Sequence, residues 1–533
     1  MPSFELPAIR PDAQPEFKDS SACAAWLQSL PLINTGPSHA RLLGQLGEVN
    51  GCEMAPAERL KILELLREPV AFVQAEQAKK FVGRPVPLSK QEREVFHAVN
   101  ALWDALSQGY QRCLQTLADG VSGPSGLLAL ACQRVLWCTE QKMVDYYEAY
   151  HELDDAIWRL LHRAYALAEE RAVADGKVAH PVHKGKVETS CIETYAHALL
   201  LNLANPNEQT PRQIALVSRW LDLWAGKASI MRTPPEEDAP VFVDLASGTG
   251  ASRSAASGDA IRFLEIGGIG KSVRKRVSLL RQGESPAALG LGEDVAASAA
   301  ESLLVLLYRQ WCEDKHSRAH ARRSSSGTAQ VCVGMGAIHY YVTGKPFKQQ
   351  GESTGLSQIQ HEELATFGRV TSRREEEPGG GSIFPLETWQ IKDESLSGLR
   401  LERSDPAAVS RLVLDQLLAF RPADAKGFLL STVRWLSASA GLELRAGVHA
   451  FPGMPAGIAF RAAGASGPKD PFLPALMLPA VAALHSPDTL VLPLGWFKPK
   501  RVIELRIDRS QEVRLSAVVE RGADFERVSF ERA

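Results

Sequence analysis

The 533-residue chain has no run of about 18 consecutive apolar residues, the length that a membrane-spanning helix needs. Its first residues, Met1-Pro2-Ser3-Phe4-Glu5, lack the basic and apolar regions of a secretory signal. The formal net charge is only -2, whereas proteins that bind nucleic acid usually carry a strong basic excess. We therefore expect a cytoplasmic protein with no membrane span and no nucleic-acid partner.

Metal-binding and catalytic patterns are also missing. No two of the eight cysteines form a Cys-x-x-Cys pair, and several lie on apolar helical faces, so we expect buried thiols and neither disulfides nor zinc ligands. Histidines such as His180 and His183 have no Cys or carboxylate companions at ligand spacing. No Ser/His/Asp or Cys/His constellation can be nominated. We predict no metal, no cofactor and no catalytic residue, and hence a protein that is not an enzyme. The cysteines are Cys23, Cys52, Cys113, Cys132, Cys138, Cys191, Cys312 and Cys332.

Residues 14 to about 230 have the apolar periodicity of α-helices. Thr210-Pro211-Arg212-Gln213 combines a capping threonine, a first-turn proline and a glutamine three residues after the cap, which together start a helix. The length predicts roughly three domains. We predict an α-helical output or interaction domain over residues 1–232. Its clearest helix has seven apolar residues on one face: Phe96, Val99, Trp103, Leu106, Tyr110, Cys113 and Leu117.

The pattern changes after a linker-like break at 233–238. Residues 233–315 are predicted to form a connecting α/β segment with a helix at about 296–313. From there on the chain is mostly strand with turn residues, which makes the fold class multidomain α and β. The candidate strands are Gln330–Val342, Glu387–Lys392, Gly427–Leu436, Leu442–Phe451, Gly457–Arg461, Thr489–Leu494, Arg501–Ile507, Val513–Val519 and Arg527–Phe530.

Two glycine-rich loops resemble cofactor-binding loops, but the sequence around each loop differs from that of the proteins in which such loops bind a cofactor. Residues 243–250 match the glycine loop after the first strand of S-adenosylmethionine methyltransferases, with Glu265 in the position of the ribose-binding acid. That fold needs several alternating strand–helix units after the loop, whereas one helix and then an antiparallel pattern follow. Residues 267–272 end like a phosphate-binding P-loop, but Glu265 stands where the pattern needs glycine and would repel a phosphate. A methyltransferase is therefore the least favoured hypothesis.

One turn combines an acid, a hydroxyl and a glycine. Asp393, Ser395 and Gly398 lie between the strand-like segments 387–392 and 399–402. Such residues are also common in ordinary turns. However, the carboxylate and hydroxyl can accept hydrogen bonds from the N1/N2 edge of guanine, and the glycine lets the backbone come close to a ligand.

Arginines precede this turn in the chain. Arg318 and Arg322 form an Arg-x-x-x-Arg pair, with Arg323 beside it. Their planar guanidinium groups suit guanine O6/N7 or a phosphate, and can stack on a base. A competing pair, Arg369 and Arg373, lies closer to the turn along the chain. It falls within a polar, helix-prone insertion, where a solvated charged face is expected.

The combination of this arginine pair with Asp393, Ser395 and Gly398 resembles the PilZ domain, the bacterial receptor module for cyclic di-GMP. The resemblance covers roughly residues 316–462. It implies an antiparallel β-barrel, which we assign to 316–465 with an insertion at 349–381, followed by a small β appendage over 466–533. It also implies the ligand contacts: the arginines clamp guanine and phosphate, the acid and hydroxyl hold the guanine edge, and the glycine allows the turn. The predicted ligand-binding residues are Arg318, Arg322, Arg323, Asp393, Ser395 and Gly398.

The implied function is that of a cyclic-di-GMP-binding effector in bacterial signal transduction. The barrel would sense the nucleotide and relay it, through a shift of conformational populations, to the helical domain and a protein partner. Relatives of this sensor type govern motility, pili, secretion or polysaccharide export, and nothing in the sequence selects among these. The long insertion and the competing arginine pair leave an alternative: a PilZ-fold adaptor that binds no nucleotide and acts through protein contacts.

Overall fold

The computed structural model describes most of the chain as two compact units, Met1–Ala319 with Ser437–Ala440, and His320–Leu436 with Gly441–Ala533. The described residues are 4–118, 125–180, 188–235, 240–253, 257–313, 323–348, 384–395, 397–405, 410–441, 443–464, 470–507 and 509–532.

The first unit is mainly helical, as the sequence predicts. Its helices are α1 (Ser20–Gln28), α2 (Thr35–Gly51), α3 (Pro56–Ala78), α4 (Lys90–Ala118), α5 (Ser125–Glu148), α6 (Asp155–Glu170), α7 (Cys191–Leu203), α8 (Pro211–Trp224), α9 (Gly267–Arg281) and α10 (Ala297–Cys312). Its strands are the pair β1 (Val178–Ala179) and β2 (Glu188–Thr189), and then β3 (Ser229–Met231), β4 (Val241–Asp244) and β5 (Ile261–Glu265). No helix among the described residues is long and apolar enough to cross a membrane.

Local sequence signals explain where these helices begin and which face they bury. At α8 the Thr210 hydroxyl accepts from the Gln213 backbone N–H at 3.3 Å, and the Gln213 side chain accepts from the Thr210 N–H at 2.8 Å. The predicted apolar face of α4 is buried along most of its length. Pro69 lies inside α3, although proline usually disrupts a helix. The helix continues beyond it, where Val70 and Val73 are fully buried on the packed face.

The glycine loop that resembles a methyltransferase site lies in an antiparallel sheet. The strand order is β3-β5-β4, and β4 pairs antiparallel with β5 in the register Val241↔Leu264 to Asp244↔Ile261. A methyltransferase needs parallel strands here, so this hypothesis is not supported. In the loop that resembles a P-loop, the Glu265 carboxylate accepts from the Gly267 N–H at 2.7 Å, at the start of α9.

The second unit contains two six-stranded antiparallel barrels. The first is built from β7 (Thr328–Val333), β8 (Glu387–Glu394), β9 (Gly398–Arg403), β10 (Leu417–Pro422), β11 (Leu429–Ala438) and β12 (Leu444–Ala450), with the short strand β6 (Arg323–Ser324) added along β8. The ring runs β7-β8-β9-β12-β11-β10 and returns to β7. Trp389, Ile391 and Leu401 are buried on its inner face.

The predicted strand Gln330–Val342 is correct only as far as Val333. Gly334 follows with φ at 87°, which ends the strand, and Met335–Thr343 forms the helix α11. Thus His339, Tyr340 and Tyr341, which we placed on a strand, lie on a helix. A short apolar run fits a buried strand and a buried helix equally well, so periodicity does not distinguish them. The strand β10 was not predicted at all.

The second barrel is closed by β13 (Ala456–Ala462), β14 (Leu473–Leu478), β15 (Thr489–Pro493), β16 (Val502–Arg506), β17 (Ser510–Arg521) and β18 (Phe525–Arg532), in the order β13-β14-β15-β18-β17-β16. Its interior holds Ile458, Phe460 and Leu505 among other fully buried apolar residues. We assigned Gly457–Arg461 to the first barrel, but this strand pairs with β14 and β16 of the second. The boundary that we predicted at 465 therefore falls inside a hydrogen-bonded barrel.

A shared core joins the two barrels through α11. One cluster of buried residues includes Ile338 of α11, Leu430 of β11, Leu476 of β14 and Phe525 of β18. Polar contacts support it: the Asp524 carboxylate accepts from the Leu417 N–H at 2.8 Å. The second unit is consequently a pair of barrels that share one buried hydrophobic core.

Candidate functional site

The candidate turn is the hairpin that connects β8 to β9. The Gly398 carbonyl accepts from the Ser395 N–H at 2.8 Å and from the Ser395 hydroxyl at 3.2 Å, which closes the turn. The Ser397 carbonyl accepts from the Ala450 N–H at 2.8 Å, which fastens the turn to β12. Because its hydrogen is used within the turn, the Ser395 hydroxyl has oxygen lone pairs left to accept from a ligand.

A β-bulge determines which residue Asp393 pairs with. In the β8–β9 pairing the register shifts between Ile391, opposite Leu401, and Asp393, opposite Arg400. Without the shift, Asp393 would share the inward face of Trp389 and Ile391, since side chains alternate along a strand. The extra residue instead pairs half-buried Asp393 with Arg400, next to inward-facing Leu401.

Gly398 lies where the backbone of a neighbouring strand leaves no room for a side chain. It pairs with His449 of β12, and a Cβ atom on it would approach the Val448 carbonyl oxygen to 2.9 Å. A carbonyl within a strand cannot move aside as a flexible side chain can. The glycine therefore brings the hairpin close to β12.

The arginine segment reaches the hairpin through β6. Arg323 pairs with Glu394 and Ser324 with Asp393, in an antiparallel register. Arg323 is exposed. Of the predicted site residues, Arg323, Asp393, Ser395 and Gly398 are thus brought together. Arg318 and Arg322, and the competing Arg369 and Arg373, lie outside the described residues.

Register places two further residues beside this group that sequence reasoning did not single out. Arg400 stands between Asp393 on one side and Gly447 on the other. It is half-buried, and its Nε–H has no hydrogen-bond partner in the described part of the chain. The Trp435 indole lies directly on Gly447, so closely that a Cβ there would overlap the ring. The row Ser324–Asp393–Arg400–Gly447 crosses four strands, and no local signal in the sequence could have revealed it.

Charged neighbours of the row are paired with one another. The Glu402 carboxylate lies 3.4 Å from Lys392 Nζ and 3.5 Å from Arg445 Nε. Arg434, one residue before the indole-bearing Trp435, contacts Glu520 of the second barrel at 2.9 Å. Burial lowers the pKa of His449, which stands opposite Gly398, so this imidazole is neutral at physiological pH.

Together these side chains form a polar surface at one end of the first barrel. It offers carboxylate and hydroxyl acceptors at Asp393 and Ser395, guanidinium donors at Arg323 and Arg400, and an aromatic ring at Trp435. Such a set can accept from a nucleobase edge, donate to a phosphate and present a π-face. Among the described residues, no group of three or more His, Cys, Asp or Glu side chains is placed to hold a metal ion.

Comparisons with known proteins match this organisation in chain order. Residues 21–236 match the N-terminal domain of the cyclic-di-GMP receptor FimW, residues 278–375 its middle PilZ domain, and residues 458–533 its C-terminal beta-barrel domain. The chain belongs to this family of PilZ-domain proteins with a helical N-terminal domain. A curated relative, the cyclic-di-GMP receptor FimW of Pseudomonas aeruginosa, is 24% identical over 516 residues, which cover 88% of this chain and 83% of the relative.

The extent of each match bears on the domains and on the site. The PilZ match includes Arg318, Arg322 and Arg323, but ends before Asp393, Ser395 and Gly398. The match to the C-terminal barrel begins at residue 458, inside β13, in agreement with the strand pairing described above. The PilZ resemblance inferred from the sequence is thereby confirmed.

Proposed function

We propose that this chain is a cyclic-di-GMP receptor that acts by binding and not by catalysis, with the nucleotide at the β8–β9 hairpin of the first barrel. The observation that carries the proposal is the pairing of Arg323 and Ser324 with Glu394 and Asp393. Because Arg322 directly precedes Arg323 in the chain, the Arg-x-x-x-Arg segment leads straight to the acid and hydroxyl. The family membership and the name of the Pseudomonas relative support the choice of ligand.

Each contact has a separate chemical role. Arg318 and Arg322 would donate to guanine O6/N7 and to phosphate oxygens as charge-assisted hydrogen bonds. Asp393 and Ser395 would accept from the guanine N1–H and N2–H groups. Gly398 keeps the hairpin close to β12, where its Cβ would meet the Val448 carbonyl.

Arg400 is the additional contact that the geometry favours. Its Nε–H is buried and has no acceptor in the described part of the chain, a situation that is rare and unfavourable in folded proteins. A phosphate oxygen beside the Arg400 guanidinium would be held by a charge-assisted hydrogen bond. We include Arg400 in the proposed ligand set on this ground.

The proposed signal passes along the chain from the nucleotide site to the helical domain. Arg318 and Arg322 belong to the stretch between α10 and β6, so holding them on the ligand fixes the chain that joins the two units. This would shift the populations of their arrangements and so the availability of the helical domain to a protein partner. All eight cysteines are free thiols, which fits a cytoplasmic, reducing environment.

The experiment that tests binding is calorimetric titration of cyclic di-GMP into the full-length protein, with GTP as the nucleotide control. We expect binding that is lost or weakened by about tenfold or more in Arg322→Ala, Asp393→Ala and Arg400→Ala, since each removes a hydrogen bond to a charged group. Arg369→Ala is the matched control from the competing pair and should bind like the wild type. A folded wild type that gives no heat and no thermal shift would leave the non-binding adaptor as the function.

The relay is tested separately by small-angle scattering. We expect the scattering profile of the wild type to change on addition of cyclic di-GMP, and that of Arg322→Ala to stay constant. Identical wild-type profiles with and without bound nucleotide would refute the relay while leaving the binding proposal intact.

A further inference from the structure

A cavity in the helical unit contains two arginine side chains that lack acidic partners. It has a volume of about 370 Å³ and lies between the N-terminal segment, the end of α2, the start of α3 and the last turns of α4. Its wall includes Arg59 and Arg112, which belong to α3 and α4. Cavities of about 300–1,000 Å³ are the usual size for small-molecule sites.

Arg59 is a buried cation held by carbonyl groups. It is 3% exposed, and it donates to the Val49 carbonyl at 2.7 Å and to the Cys52 carbonyl at 2.6 Å, both at the C-terminal end of α2. These contacts fix the guanidinium and offset part of its charge through the helix dipole. Desolvation, and the nearby positive charge of Arg112, lower the pKa of Arg59. A buried charge of this kind is stabilised by an anion close by.

Arg112 has an unused donor at the same place. Its guanidinium donates to the Pro7 carbonyl, whereas its Nε–H is buried and has no acceptor in the described part of the chain. Neither arginine forms an ion pair among the described residues, although exposed Glu53 also lines the cavity. Two neighbouring arginines thus line a space that a ligand could occupy, and one of them has a buried N–H without an acceptor in the described part of the chain.

We propose that this cavity is a second ligand site, which binds the phosphate or carboxylate group of a small organic anion. The Arg112 guanidinium would donate to the anion, and Arg59 would stabilise it electrostatically. The apolar side chains of Leu6, Ile9 and Met54 would contact the organic part of the ligand. The site lies in the helical unit and shares no residue with the nucleotide site proposed on the first barrel.

Cysteine alkylation of the full-length protein tests this proposal. Cys52 is half-buried and lines the cavity, whereas Cys312, also half-buried, lies elsewhere in the unit and serves as the internal control. The probes are inorganic phosphate and malonate, each compared with sodium chloride at equal ionic strength. We expect at least one of the two anions to slow the alkylation of Cys52, read by mass spectrometry, without slowing that of Cys312. The anion that protects identifies the head group.

Two variants locate the effect. Arg112→Gln should weaken the anion's protection of Cys52 by about tenfold or more, whereas Arg84→Gln, at an exposed arginine of the same unit, should retain it. The melting temperature of each variant without anion shows that it is folded. The proposal is overturned if neither anion protects Cys52 beyond sodium chloride, or if protection persists undiminished in Arg112→Gln.

Discussion

Gly447 gives Trp435 a bare stretch of backbone to lie on. An added Cβ at this glycine would overlap the indole ring. We therefore expect Gly447→Ala to push the indole off β12 and to destabilise the protein by about 1–3 kcal/mol, the usual range for overpacking. Equilibrium unfolding in urea measures this loss, and the fluorescence of the displaced indole should change in the native state.

The matched control for this substitution is Gly44→Ala in α2, where an added Cβ meets nothing within 4 Å. Alanine is favoured over glycine within a helix, so the control should be neutral or stabilising by about 0.5–1 kcal/mol. Equal losses of stability in the two variants would show that the contact between Gly447 and the Trp435 indole does not exclude a side chain at position 447.

The two buried carboxyl groups of α5 give a second test at the level of single residues. Burial raises the pKa of Asp145 to about 7, although a hydrogen bond from the Trp103 indole at 2.8 Å acts in the opposite direction. Burial, together with Asp145, raises the pKa of Glu148 to about 8. Between an unfolded-state pKa of about 4 and these values, the native protein retains protons that the unfolded chain has released, so stability falls as pH rises.

Asp145→Asn removes one of these titrating groups while keeping an oxygen for the Trp103 N–H. We expect the free energy of unfolding of the variant, relative to that of the wild type, to increase between pH 4 and pH 8. Denaturant unfolding at several pH values measures it. Asp104→Asn, which removes an ion pair with Lys142 at 2.8 Å, should show no such gain. A constant difference between Asp145→Asn and the wild type would show that this carboxyl titrates normally.

Residues of the proposed nucleotide site differ in how well the sequence reveals them. Asp393, Ser395 and Gly398 lie within one turn, so their types and spacing are enough to suggest a site. Arg400 and Trp435 depend on strand register: the first stands beside Asp393 only because of the bulge before it, and the second lies at the site only because Gly447 is its neighbour. A single sequence does not specify such pairings between distant strands.

At the scale of elements, the helix α11 packs closely against the strand β13 of the second barrel. Its residue Thr343 lies against Gly457 of β13, where an added Cβ would overlap the Thr343 methyl group and approach His339 Nε2 to 3.1 Å. We expect Gly457→Ala to destabilise the protein by about 1–3 kcal/mol. Thr343→Ser removes the methyl group but keeps the hydroxyl that donates to the His339 carbonyl at 2.8 Å.

A double-mutant cycle isolates this contact between α11 and the second barrel. The loss caused by Gly457→Ala should be smaller in the Thr343→Ser background, since the overlapping methyl group is gone. Urea unfolding of the four proteins gives the coupling energy. Equal losses in both backgrounds would show that α11 does not press on β13.

Elements with a strong local signature were predictable, and those defined by their surroundings were not. The apolar face of α4 and the capping box of α8 are complete within the sequence of each helix. The apolar run at 335–343, in contrast, fits a helix and a strand equally well, and its Ala337 and Ile338 are buried in the core that the barrels share. Likewise, Gly457–Arg461 has the alternation of any barrel strand, and only its partners β14 and β16 assign it to the second barrel.

At the scale of the whole molecule, the two barrels of the second unit share one core. Phe525 of β18 is fully buried, with its ring centroid 5.7 Å from that of Phe451, and belongs to the same cluster as Leu417 and Leu430 of the first barrel. Burial of apolar surface common to both barrels makes the opening of one costly to the other. We infer that the barrels unfold as one cooperative unit.

Phe525→Ala tests this cooperativity. The substitution should cost about 3–5 kcal/mol through lost burial and a residual cavity. Because the core is shared, amide hydrogen exchange should accelerate in β10 and β11 of the first barrel as well as in β15 and β18 of the second. A second test is Leu505→Ala, which lies within the second barrel's own interior and leaves the shared core intact. It should also accelerate exchange in both barrels if they unfold as one unit. If Phe525→Ala accelerates exchange only in β13–β18, the barrels open independently, and nucleotide binding at the first would leave the second unprotected.

If exchange rises in both, cyclic di-GMP bound at the β8–β9 hairpin should slow exchange in both barrels, since a ligand stabilises the whole unit to which it binds.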